Sequence, residues 1–159
     1  MDIAAGVAAL VALLAMLRAA TENQGGEVSD QDTPRGIRNH NPGNIVDTPA
    51  NDWQGKTGTD GKFVVFSAPA WGIRAIARIL DSYRLRGVDT LGEIVATYAP
   101  PGENPTAAYI QAVEDITGLE RGNVIERHHY PALIEAMIYF ENGVQPYGRY
   151  TIVEGIARA

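Results

Sequence analysis

The chain has 159 residues, 45% hydrophobic and 20% charged, which is enough for one domain with its own core. A formal net charge of -6 excludes a general nucleic-acid binder, whose footprint is basic, so no nucleic acid is expected among its partners. There is no Cys, which excludes disulfides and thiolate metal sites and leaves stability to packing.

Ile3 to Leu17 (IAAGVAALVALLAML) carries no charge and lies between Asp2 and Arg18. It is Ala-rich and helix-prone, and its flanking charges suit the helix dipole. An N-terminal apolar helix is therefore expected over residues 1–20. It is shorter than the roughly 20 apolar residues that cross a bilayer upright, although Arg18 can snorkel and Ala19 and Ala20 can extend it. Burial against neighbouring protein subunits and membrane contact through Ile3–Leu17 both fit this composition. A secretory signal fits less well, because Asp2 precedes the apolar run and no Lys or Arg does. Residues 21–33 are polar, contain Gly25-Gly26 and read as a linker, so the main domain is expected over 34–159.

Arg35 to Phe66 (RGIRNHNPGNIVDTPANDWQGKTGTDGKFVVF) is rich in turn formers. In N-P-G-N, Pro42 fixes φ, Gly43 frees it, and Asn41 and Asn44 tolerate left-handed backbone. Ile45-Val46 and Phe63–Phe66 read as two short strands, with Asp60-Gly61 as a turn, so a small β-hairpin is expected. Asn39, Asn41 and Asn44 can serve the turns alone. They can also line a groove with Trp53, amides pairing with hydroxyl and acetamido groups and the indole stacking on a pyranose.

Further on, Ser67 is a candidate cap and Pro69 a first-turn residue. Trp71, Ile73, Ile76, Ile79, Leu80 and Tyr83 then recur at helical spacing up to Gly87. Thr90 with Glu93 predicts a capping box for a helix that stops before Pro100-Pro101. Thr106 to Thr117 predicts a helix closed by Gly118, and Asn123 to Phe140 a long apolar one ended by Glu141-Asn142-Gly143. Thr151 to Arg158 suggests a short closing helix. The class is α+β, mainly helical.

The string RGIRNHNPGNI, then Trp53-Gln54-Gly55, Asp60-Gly61-Lys62-Phe63, Gly72-Ile73-Arg74-Ala75, Tyr98-Ala99-Pro100-Pro101, Glu103-Asn104 and Glu141-Asn142-Gly143, resembles a family of phage virion-associated muralytic lysins. That family includes the lysin of the enveloped double-stranded-RNA phages, and the likeness spans roughly residues 34–159. The resemblance implies a lysozyme-like domain that opens bacterial peptidoglycan, carried in a phage virion among other virion proteins and acting at the host cell wall or periplasm. It implies a glycosidase or lytic transglycosylase, with no cofactor. Cross-link endopeptidase activity, or a non-catalytic virion protein on the same fold, are the alternatives.

Glycan cleavage needs a carboxylic acid kept protonated by an apolar setting. Glu141 fits locally, since it follows Tyr139-Phe140 at a helix C-terminus, where negative charge is disfavoured. Its place after the hairpin would permute the usual lysozyme order. Glu103, in the Pro-bounded loop, is the second candidate, and Glu27, in the linker, a weaker third. Asn39, Asn41, Asn44, Trp53, Tyr98 and Tyr109 are the expected groove residues. No metal is expected: His128 and His129 are adjacent, so on a helix they point about 100° apart, and there is no HExxH.

Overall fold

The computed structural model describes residues 33–102 and 105–159, and Pro34–Ala159 forms one compact unit. The expected apolar helix over residues 1–20, the linker up to Asp32, Glu27 and Glu103 lie outside the described residues.

One helical turn, α1 (Arg35–Arg38), opens the unit and was not part of the turn-rich expectation for this stretch. The hairpin follows as β1 (Lys56–Thr59) and β2 (Val64–Phe66), paired antiparallel with a bulge between Lys56 and Gly58. The first strand therefore differs from the expected Ile45-Val46. Asp60 explains the choice: its Oδ1 accepts from Lys62 N at 3.0 Å and Phe63 N at 2.8 Å, which folds the chain tightly back on Lys56–Thr59. Ile45-Val46 instead lies along the other side of this turn. Val64 N donates to Ile45 O at 3.0 Å, and Val46 forms an isolated bridge with Phe63.

Five helices complete the unit: α2 (Pro69–Leu85), α3 (Leu91–Tyr98), α4 (Thr106–Thr117), α5 (Tyr130–Asn142) and α6 (Arg149–Ala157). The described residues thus form a mainly helical α+β unit with a two-stranded sheet. The cap of α2 is Ala68, in extended conformation, and not Ser67, whose backbone N–H is held by Gly55 O. The Thr90–Glu93 capping box is present, and Gly118 ends α4 in left-handed conformation. The last long helix begins at Tyr130, later than the expected Asn123. Residues 123–125 are drawn into extended pairing with 89–91: Leu91 N bonds Asn123 O, and Ile125 N bonds Asp89 O at 2.7 Å. A 3₁₀ turn, Arg127–His129, then leads into α5.

The core is built where the helical periodicity points. Ile73, Ile76 and Leu80 of α2 meet Leu133, Ile134 and Met137 of α5, with Leu91, Ile94 and Val95 of α3 and Val113 of α4 beside them. Each such side chain contributes about 1.5–3 kcal/mol on full burial. Gly155 lets α6 lie directly on α2, where a Cβ would strike Ile73. This packing fixes the end of α5 against the loop over residues 39–46.

Candidate functional site

Glu141 is the penultimate residue of α5, and Gly143, at φ 70°, turns the chain away immediately after it. Its half-buried carboxyl lines a groove of about 400 Å³. Asn44 faces it from the N-P-G-N loop, with Nδ2 donating to Glu141 Oε2 at 3.1 Å and approaching its backbone carbonyl at 3.4 Å. Asn44 holds φ at 49°, a left-handed conformation that Asn adopts more readily than most residues. Burial pushes the Glu141 acid above the ordinary carboxylate range, while hydrogen bonding from Asn44, and then from Tyr109, draws it part of the way back.

A small platform holds this pair. Asn142 donates from Nδ2 to Pro42 O at 2.8 Å and to Ile138 O at 2.9 Å, tying the loop to α5. Gly36 lies beneath: a Cβ there would overlap Asn142 Oδ1 and sit 2.6 Å from Asn44 Oδ1. Tyr98, at the end of α3, donates its hydroxyl to Gly43 O, so the loop is also held from the opposite side. Burial raises the Tyr98 and Tyr109 phenols well above their ordinary value, and the Glu141 charge adds to this, so both remain donors. The groove walls are Ile45, Val46 and Phe63 on the hairpin side and Ile79 and Tyr83 of α2 on the other. The result is one protonatable acid beside an amide, in a cleft with aromatic and aliphatic walls.

No protein-family model matches the chain. Protein P5 of Pseudoalteromonas phage PM2 is 40% identical to it over 126 residues, covering 76% of this chain and 79% of that protein. The chain belongs to the protein P5 family. The family thus includes a bacteriophage protein, and the chain is phage-related.

In this P5-family chain the expected site residues that the structure describes separate into three groups. Glu141, Asn44 and Tyr98 come together around the groove. Tyr109 is 1% exposed and stacks on Phe140 with ring centroids 3.8 Å apart; it backs the Glu141 carboxyl and forms no groove wall. The remaining three lie elsewhere. Asn41 is 0% exposed, and its amide serves the fold. Its Nδ2 donates to Ile45 O and Val64 O, both at 2.9 Å, and its Oδ1 accepts from Ile45 N at 3.0 Å. Asn39 bonds Asp60 Oδ2 beside the Arg35–Asp60 ion pair, on the turn of the hairpin. Trp53 packs against the core and is not among the groove residues. The physical reason for the two amides is shared: the hairpin and its entry loop need internal donors to hold short strands together, and Asn41 and Asn39 supply them, whereas Trp53 is taken up by packing. Glu103 lies outside the described residues.

Asn142, Gly36 and Lys62 belong to the site and were not singled out from the sequence. The signal for Asn142 was its position between the acid and the helix-ending Gly143. Gly36 carried none, since its role depends on the approach of two side chains distant in sequence. His129 caps its own turn, Nδ1 accepting from Glu126 N at 3.0 Å, and among the described residues no cluster of three potential metal ligands occurs.

Proposed function

We propose that the protein is a phage muralytic enzyme that cleaves the glycan strand of peptidoglycan, with Glu141 as the general acid. One observation carries this reading: a carboxyl held above its ordinary pKa by burial, at a groove wide enough for a sugar, with Asn44 orienting it. Such a group is protonated at higher pH than a free carboxylate and can deliver its proton to a glycosidic oxygen. The bond then breaks toward an oxocarbenium-like centre, and Glu141, now ionised, accepts hydrogen bonds from Asn44 and Tyr109. Water or a hydroxyl of the same sugar can complete the reaction, giving hydrolysis or intramolecular transglycosylation. Phe63, Tyr83 and Tyr98 provide faces and edges for pyranose packing. The lysozyme-like character of the domain, its carriage in the virion and its action at the host wall are part of the same proposal. The string of motifs supports them, and the phage relative supports the phage setting alone.

The test is lysis of purified peptidoglycan by the full chain and by Glu141→Gln, with released fragments identified by mass spectrometry. Loss of at least about 10²-fold is expected for Glu141→Gln. Fragments ending in anhydro or reducing sugars mark glycan cleavage; free peptide cross-link ends with intact glycan would assign an endopeptidase instead. A correctly folded Glu141→Gln that lyses walls at the normal rate removes the acid role.

A further inference from the structure

Among the described residues the groove is lined by one cation, which the acid–base chemistry does not use. Lys62 lines it on the hairpin side, on the segment that leads into β2. Its backbone is held at both ends: its N–H donates to Asp60 Oδ1 at 3.0 Å, and its carbonyl accepts from Asp47 N at 2.9 Å. Both acids that touch this backbone are already paired, Asp60 with Arg35 at 2.6 Å and Asp47 with Lys56 at 2.5 Å. Among the described residues no carboxylate pairs with the Lys62 ammonium, whose contact is the face of Phe63, 4.9 Å from its ring centroid. A fixed backbone therefore presents an uncompensated positive charge at a groove wall, in a protein whose net charge is -6.

We infer that Lys62 is a specificity residue that binds a carboxylate of the substrate, so that the groove selects carboxylate-bearing peptidoglycan over uncharged glycan. This rests on the glycan-cleaving reading above. A bare chain of N-acetylated hexosamines offers hydroxyl and amide groups and no anion. Peptidoglycan adds free carboxylates on the peptide stems carried by alternate sugars. An ammonium at the wall distinguishes these two polymers, whereas Asn44 and the aromatic walls treat their sugar rings alike. The charge attracts and fixes the strand's register; it does not take part in bond breaking.

The experiment compares intact walls with the same walls whose carboxylates have been capped as neutral amides by carbodiimide and a neutral amine. The selectivity ratio, kcat/KM on carboxylate-bearing strands over that on capped strands, is measured for the full chain and for Lys62→Gln, Lys62→Glu and Lys62→Arg. A charge-assisted hydrogen bond corresponds to roughly ten- to a hundredfold, so Lys62→Gln should lower the ratio about tenfold or more, mainly through KM. Lys62→Glu should lower it further, Lys62→Arg should restore it, and the ratio for the unsubstituted chain should fall as salt rises. An unchanged ratio in Lys62→Gln overturns the inference. Co-sedimentation of Glu141→Gln and Glu141→Gln/Lys62→Gln with both kinds of wall separates the two readings. If the full chain lyses nothing, the catalytic reading fails, while preferential retention on carboxylate-bearing walls that needs Lys62 still supports the carboxylate site. Equal retention with and without Lys62 counts against it.

Discussion

Replacing Asn41 by Ala distinguishes a residue of the fold from a residue of the groove. In the structure the Asn41 amide makes three hydrogen bonds at a fully buried position, two from Nδ2 and one to Oδ1. Truncation leaves Ile45 O with a second partner, Val64 N at 3.0 Å, but among the described residues Ile45 N–H bonds no other acceptor. Orphaning that buried donor costs about 1–3 kcal/mol, and the lost bonds to two carbonyls add up to about 1 kcal/mol each. The expected destabilisation is therefore about 3 kcal/mol, close to a 10 °C fall in Tm for a unit of this size. Urea unfolding followed by circular dichroism measures it as a lower midpoint with an unchanged slope. Asn41→Asp should be worse than Ala, because it sets a buried negative charge against the two carbonyls that now accept. A loss below about 1 kcal/mol in Asn41→Ala, with weakened binding to walls, would refute the reasoning and return Asn41 to the groove.

Three further outcomes follow from the same geometry. Gly36→Ala should lose about 1–3 kcal/mol of stability and most of its lytic activity, since the new methyl must displace both Asn142 and Asn44; thermal unfolding and wall turbidity check this together. Glu141 has a folded-state pKa raised above its unfolded value, so its protonated form favours the fold: stability is fully present below the unfolded value and declines as pH rises through the folded one. Glu141→Gln should therefore be more stable than the unsubstituted chain at neutral pH and no more stable at pH 3, and Asn44→Ala, which removes the larger pKa-lowering bond, should shift the alkaline limb of lysis upward.

The helical part of the fold was legible because its signals are local. The Thr90–Glu93 box, the Gly118 and Gly143 stops and the α2 periodicity each need only a few neighbouring residues. The hairpin was legible as a turn at Asp60-Gly61, yet its first strand was misassigned. Lys56–Thr59 is polar and mostly exposed, and pairs because Asp60 folds it onto β2, not because its side chains seek the core. For the site, Glu141 could be singled out by its helix-terminal position, but the amides could not be sorted. Asn41 and Asn44 are three residues apart in one turn, and only the approach of α5 decides which faces a carboxylate and which staples Ile45 to Val64.

The Asn44–Glu141 hydrogen bond joins residues 97 positions apart. Such a contact forms only after the intervening hairpin and helices have closed the loop between them, and non-local pairings of this kind are late events in folding. Chains emerge from the ribosome N-terminus first, so the Asn44 loop exists well before the carboxyl that completes it has been synthesised. The Asn44–Glu141 pair is thus absent from every nascent or truncated form that stops short of α5. The groove they share is complete only once the whole of Pro34–Asn142 has been synthesised and folded.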